Sequence, residues 1–340
     1  MAENKQRWIN GIDSIRFFLS LIVLLSHFPN PLVGLLKTSG NQLVYYAGVA
    51  LNHMFFGVGA VIAFFIISGF VIHYPNRNKK EFNTSNFLIR RWLRIGIPLL
   101  VVGLIAGHFN YFGNIPVWSL WCELIYYTIY PILFRIRISW KLKMYISFII
   151  SLIVMLLCSR DSLSSLIHQQ NLNYNINYWQ LGVPLTWLIG LPCWLLGVSL
   201  AQNIDNINYQ VSTLKIFGYR LLVFVTGVII FSLAAHKFVS VLFTLNFYAL
   251  LLCIWIGKEI VYYRTHPPVK LFECFGRFSY SLYLCHQLCL IIISRFLPYN
   301  QYTYCVFIIL SLGIAYVVYL LVEFPSHWLA QKIGAYSKKN

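Results

Sequence analysis

Residues 57–72 read GVGAVIAFFIISGFVI, without one charged side chain, inside an apolar run that extends over 47–74. A membrane-crossing helix needs roughly 20 mainly apolar residues, so this stretch is read as a span. Working outward from it, nine further candidate runs appear, at 11–29, 95–110, 116–134, 143–159, 181–202, 217–234, 237–257, 274–297 and 303–323, those at 95–110 and 143–159 being short. Composition agrees. Hydrophobic residues make up 59% of the 340-residue chain and charged residues 10%, where a soluble domain carries about 25% charged residues. Too few charges remain to coat a globule in water. The fold class that follows is all-α, a polytopic membrane helix bundle of about ten transmembrane helices forming one membrane domain over 1–340.

Charge gives the orientation. The net charge of +17 comes from 26 basic and 9 acidic residues. The basic residues sit in short loops between apolar runs rather than on one face, which excludes nucleic acid as a partner. Lys5 and Arg7 precede the first run; Arg77, Lys79, Lys80, Arg90, Arg91 and Arg94 follow the second; Arg135, Arg137, Lys141 and Lys143 follow the fourth. Lys215 and Arg220, then Lys258, Arg264 and Lys270, then Lys332, Lys338 and Lys339 continue the alternation. The intervening loops hold only Lys37, Arg160, Lys237 and Arg295. By the positive-inside rule, ten spans with both termini in the cytoplasm fit this pattern. The Ser/Asn/Gln-rich stretch at about 160–180 then falls on the outer face. The first run is read as a retained helix rather than a signal peptide, because Arg16 interrupts it and no small-x-small site follows. The eight cysteines form no CxxC pair, and no histidine pair has a helical zinc spacing, so no disulfide framework and no metal is expected.

Ionisable groups inside a membrane are costly and usually functional. Of nine acidic residues, only Glu123 lies well inside a span. The first helix carries Asp13, Arg16, Ser20 and His27 within a sector of about 60° at 100° per residue. Such a stripe must face protein or a water-filled cavity. Arg16 and His27 share a face about 16 Å apart along the axis. His27 lies about 24 Å along the first helix, and Glu123 about 10 Å below the outer end of the fourth. Comparable depth would let the carboxylate orient His27 as general base for a hydroxyl. Arg90, Arg91 and Arg94 stand where the third span begins, and guanidinium forks hold phosphates well. His286 lies mid-span after Ser279, Tyr280, Ser281 and Tyr283, where a structural hydrogen bond and a chemical role are both open. His53, His73, His108, His168, His236, His266 and His327 are given no role.

Five blocks in order resemble the acyltransferase-3 family of membrane O-acyltransferases. IDSIRFFLSLIVLLSHF resembles the first-helix motif with Arg16 and His27. GVGAVIAFFIISGFVI resembles the second-helix block around Ser68-Gly69-Phe70. FLIRRWLRIGIP supplies Arg91 and Arg94, and VWSLWCELIYYTIYPILF places the family's glutamate at Glu123. FSYSLYLCHQ and VEFP resemble the last two blocks, with His286 and Glu323. Gln287 and Leu288 stand where members often have proline, and Pro98 lies one residue further from Arg94 than in many members. Some members carry a further helix and a soluble hydrolase-like domain; this sequence, ending at Asn340, resembles the stand-alone ones.

The resemblance implies acyl-CoA, usually acetyl-CoA, as co-substrate, with Arg16, Arg91 and Arg94 on its phosphates and Arg90 and Ser68 as secondary candidates. It implies a carbohydrate or glycolipid acceptor, as in O-antigen or exopolysaccharide O-acetylation, in a bacterial cytoplasmic membrane. Direct transfer and a covalent acyl-enzyme on His27 or a tyrosine are both compatible with these residues. Two rivals stand beside this reading. One is a transporter or flippase of a lipid-linked sugar, against which no inverted repeat or paired broken helices are found. The other keeps the chemistry but moves a succinyl group.

Overall fold

The computed structural model of the chain describes residues 9–109, 117–158, 178–207, 209–236 and 238–336. The expectations placed on Glu3, Lys5, Arg7, Arg160, Asp161, His168, Lys237, Lys338 and Lys339, and most of the 160–180 stretch, lie outside these residues. The described residues form helices and no strand. In chain order these are α1 (Ile12–His27), α2 (Leu32–Lys37), α3 (Gln42–Asn52), α4 (Gly57–His73), α5 (Thr84–His108), α6 (Val117–Arg135) and α7 (Trp140–Cys158). After them come α8 (Val183–Asn203), α9 (Thr213–Ala235), α10 (Val241–Tyr262), α11 (Lys270–Gly276), α12 (Ser279–Ser294), α13 (Tyr304–Val318) and α14 (Phe324–Tyr336).

Every expected span falls on helix, with four changes of boundary. The run over 47–74 would measure about 42 Å as one helix, longer than a hydrocarbon core of about 30 Å. It breaks at His53–Phe56, and α4 starts only at Gly57. The third span begins eleven residues earlier than expected, because Asn83 caps α5 by accepting from Asn86 N at 3.0 Å. Arg90, Arg91 and Arg94 therefore project from a helix, not from a loop. The run over 274–297 divides between α11 and α12. The last span continues through a π turn (Tyr319–Glu323) into α14.

Six helical stretches are long and apolar enough to cross a membrane, at 42–76, 140–158, 183–206, 213–235, 241–262 and 304–334. The remaining expected spans, on α1, α5, α6 and α12, are shorter or more polar. Together with α4 and α14, these four helices carry the side chains that line an internal cavity. Where the bundle meets lipid, apolar side chains stand exposed instead, as with Leu214, Phe217 and Leu221 on α9.

The bundle is centred on α4 and α8, whose residues are mostly buried. Two glycines set their approach. A Cβ on Gly69 would come within 2.0 Å of the Trp194 carbonyl oxygen, and one on Gly197 within 1.8 Å of the Ile66 carbonyl oxygen. Small residues at a crossing are how membrane helices approach closely when apolar association is weak. Polar pins add to the packing. Asn246 Nδ2 on α10 donates to Ser151 Oγ on α7 at 2.7 Å and to the Ile189 carbonyl on α8 at 3.2 Å. Arg220 on α9 grips buried Glu259 on α10 with two bonds of 2.6 and 2.8 Å.

Gly69→Ala or Gly197→Ala should each force the α4–α8 pair apart and destabilise the fold by about 1–3 kcal/mol, the usual cost of overpacking. Gly313→Ala, where nothing lies within 4 Å of the new methyl, should leave stability unchanged or slightly raised. Thermal unfolding in detergent checks this, and equal midpoints for all three variants would contradict the crossing.

Candidate active site

A cavity of about 520 Å³ runs between α1, α4, α5, α6, α12 and α14. On α4 its lining extends from Val61 to Val71, ten residues or about 15 Å of helix, and it continues past the end of α4 to Tyr74 and Pro75. One end is basic. Arg90, Arg91 and Arg94 of α5 and Arg16 of α1 all line it. Arg16 contacts Asp13 at 3.4 Å. Among the described residues no carboxylate pairs with Arg90, Arg91 or Arg94. The Arg91 guanidinium lies 5.6 Å from the Tyr127 ring centroid and 5.8 Å from that of Phe87. Arg90 Nε is buried without a hydrogen-bond partner. Gly334 of α14 covers it, so closely that a Cβ there would meet Arg90 Nε at 2.0 Å. Asn86 Nδ2 fastens α14 by donating to the Gly334 carbonyl at 2.5 Å. His327 and Gln331, one turn apart on α14, complete the wall.

Midway along the cavity stands Glu123. Its Oε1 accepts from Ser68 Oγ at 2.8 Å and from the Tyr127 hydroxyl. Trp194 Nε1 in turn donates to Ser68 Oγ at 3.3 Å. At the inner end the Tyr283 hydroxyl of α12 meets Ser119 Oγ of α6 at 2.5 Å. Tyr280, also in the lining, donates to the Ile95 carbonyl beside Pro98 at 3.0 Å. Behind this wall, Ser281 N and Oγ bond Glu323 Oε2 at 3.2 and 2.6 Å. The π turn thereby buries the Glu323 carboxylate against α12.

His27 lies beyond the inner end. It is exposed, and its ring centroid is 4.7 Å from that of His286, which is fully buried. The His286 ring lies 6.1 Å from that of Tyr283. Neither histidine lines the cavity. Both have their tautomer set by a carbonyl, which can only accept. His27 Nδ1 bonds the Val23 carbonyl at 2.9 Å, and His286 Nδ1 bonds the Tyr283 carbonyl at 2.6 Å. Each neutral ring therefore carries its hydrogen on Nδ1 and leaves Nε2 as the acceptor. His286 Nε2 is buried without a partner.

The structure thus gathers Arg16, Arg90, Arg91, Arg94, Ser68 and Glu123 around one cavity and sets His27 beside His286. It does not bring Glu123 to His27. Gly57 packs against Ser26, since a Cβ there would meet Ser26 Oγ at 2.1 Å. From Gly57 to Ser68, the partner of Glu123, is eleven residues of α4, about 16 Å. Comparable depth for Glu123 and His27 requires α1 and α6 to reach the same outer level. Instead the first turns of α6 already stand beside the middle of α4, with Trp118 against Phe65 at 6.3 Å between centroids. The bond that His27 Nδ1 makes is instead to the Val23 carbonyl. Ser20, expected on the polar stripe, turns back to the Phe17 carbonyl at 2.8 Å. Sequence reasoning gave no role to Ser119, Tyr127, Tyr283, His327 or Gln331. A signal existed for two of them: Ser119, Glu123 and Tyr127 recur every four residues on one face of α6.

Apolar helices enclosing a cavity that gathers four arginines and a glutamate define an integral membrane protein. A family model for an acyltransferase domain matches residues 9–320, and the chain belongs to the acyltransferase-3 family. It is a multi-pass membrane acyltransferase. No curated protein and no solved structure gives a match. The cavity wall supplied by His327 and Gln331 lies beyond the matched residues.

Tyr283→Ala should open the cavity toward the histidine pair. Diethyl pyrocarbonate labelling read by mass spectrometry should modify His27 but not His286 in the wild type, and both in Tyr283→Ala. Equal labelling of the two histidines in the wild type would contradict the partition.

Proposed function

We propose that this membrane acyltransferase moves an acyl group, acetyl in the simplest case, from acyl-CoA to a hydroxyl of a cell-surface or lipid-linked carbohydrate. The observation that carries the reading is the cavity, with unpaired arginines at one end and a histidine whose Nε2 is set as acceptor beyond the other. Coenzyme A is a polyanion at one end and a thiol on a narrow arm at the other. Arg91 and Arg94, aided by Arg16 and Arg90, hold its phosphates, because bidentate guanidinium bonds suit phosphate oxygens. A cavity that follows α4 for about 15 Å and continues to Tyr74 and Pro75 lets the arm run inward and bring the thioester to Tyr283.

In the mechanism we propose, the thioester passes Tyr283 once its hydroxyl leaves Ser119. The acceptor sugar approaches His27 from its exposed side. His27 Nε2 removes the hydroxyl proton as the oxygen attacks the thioester carbonyl. The tetrahedral intermediate collapses, the carbon–sulfur bond breaks, and the imidazolium returns its proton to the departing thiolate. The Val23 carbonyl, bonded to Nδ1–H, steadies the imidazolium as it forms. The basic end of the cavity opens to the cytoplasm in this reading, consistent with the charge alternation of the loops, and the acceptor lies on the far side of a bacterial cytoplasmic membrane.

Membranes containing the wild type, given radiolabelled acetyl-CoA and total surface glycan, should place label in base-labile ester. His27→Ala should lower that rate by about 10²–10⁴-fold, the usual worth of a general base, with CoA binding intact. Full transfer by His27→Ala would remove His27 from the chemistry. Labelled glycan from succinyl-CoA but not acetyl-CoA would move the donor, and glycan export without any ester would favour a transporter.

A further inference from the structure

Glu123, a carboxylate inside a membrane bundle, has no ion pair among the described residues. Arg16, Arg90, Arg91 and Arg94 line the same cavity, yet none forms a salt bridge with it. Both of its hydrogen bonds, from Ser68 and Tyr127, fall on Oε1. Among the described residues Oε2 has no bond, on a residue that is half-buried and lines the cavity. A carboxylate oxygen is acceptor-only. Held in a low-dielectric space, it calls for an N–H or O–H donor. The neighbouring fixed groups make the site rigid. Trp194 bonds Ser68, Ser68 bonds Glu123, and Tyr127 stands one turn along α6.

Its position selects the donor. Glu123 is about 16 Å of helix short of the level of His27, and level with the middle of the cavity. It is too far down to touch a hydroxyl at His27. Among the described residues it also forms no salt bridge with the arginines that would bind the phosphates; Tyr127, which bonds its Oε1, stands between it and Arg91. What occupies the middle of the cavity, if acyl-CoA is the donor, is the pantetheine arm, with two amide N–H groups and a hydroxyl.

We infer that Glu123 is a positioning residue for the donor arm, its Oε2 accepting a hydrogen bond from an amide N–H or the hydroxyl of pantetheine, rather than a group that acts in the acyl transfer at His27. This rests on acyl-CoA being the donor. Ser68 and Tyr127 hold Oε1, so that Oε2 faces the arm. A charged acceptor recognises an amide-bearing linker by an interaction stronger than a neutral one. The contact discriminates an acyl-pantetheine from an aliphatic thioester of equal length.

Glu123→Gln is the informative variant. Its amide oxygen can still accept from Ser68 and Tyr127, while its amino group now presents a donor to the arm. Two ligands are titrated onto the full-length protein in detergent. CoA carries the arm, and adenosine 3′,5′-bisphosphate carries the phosphates without it. Glu123→Gln should weaken CoA roughly ten- to a hundredfold, the worth of one charge-assisted bond, and leave the bisphosphate unchanged. In turnover, the KM for acetyl-CoA should rise with kcat at saturation nearly preserved. Unchanged bisphosphate binding also reports that the variant is folded. A fall in kcat with KM and CoA affinity intact would overturn the assignment and return Glu123 to the chemistry. Equal weakening of both ligands would overturn it in favour of a general charge effect. A wild type that binds neither ligand would overturn the donor reading and this assignment with it. CoA binding by the wild type with no effect of Glu123→Gln would overturn this assignment alone.

Discussion

Hydrocarbon solvates neither a guanidinium nor a carboxylate, and no other constraint shapes this molecule as much. Arg16, Arg90, Arg91, Arg94 and Glu123 come from α1, α5 and α6, and all five turn inward to one cavity. The helices that bear them are too short or too polar to count as spans by length and apolarity. They can exist in a bilayer only because the apolar helices around them supply the lipid-facing surface. The site and the fold are therefore one solution to one problem. The polar residues need an interior, and the interior needs helices that would not be stable as lone spans.

The interior is kept open by close packing elsewhere. Gly69 and Gly197 bring α4 and α8 into backbone contact, which fixes the wall against which Ser68 and Trp194 stand. Gly57 seats α4 on Ser26 and so sets the level of His27 relative to the cavity. Gly334 lets α14 lie across Arg90. Each of these contacts is shape rather than charge, yet each decides where a charged or titratable group sits. The partition at Tyr283 follows from the same packing. Its hydroxyl bridges α12 to α6 at Ser119, with the arginine-lined space on one side and the histidine pair on the other.

Much of this was legible in the residues. Hydropathy alone gives a helical membrane bundle, because runs such as 57–72 have no aqueous alternative. The stripe of Asp13 and Arg16 and the triplet at 90, 91 and 94 point to the basic end of the cavity, since helical periodicity needs no tertiary information. Depth was not legible. Glu123 is two turns into its helix, but nothing in the sequence says that α6 begins beside the middle of α4. Helix adjacency was not legible either, so His286 could not be placed against His27. The breaks at His53–Phe56 and Arg277–Phe278 divide runs that hydropathy joins, because apolarity reports solvent and not continuity. The wall formed by His327 and Gln331 stands on α14, which continues from the π turn past the end of the last expected span.

The central claim is that the donor lies along the cavity with its phosphates at α5 and its thioester toward the histidines. A cryo-EM structure of the chain with a non-hydrolysable acetyl-CoA analogue tests it most directly. The account predicts the phosphates among Arg90, Arg91 and Arg94, the arm beside Ser68 and Glu123, and the acyl end at Tyr283 facing His27. An analogue bound outside this cavity, or inside it with its phosphates away from the three arginines, would contradict the account.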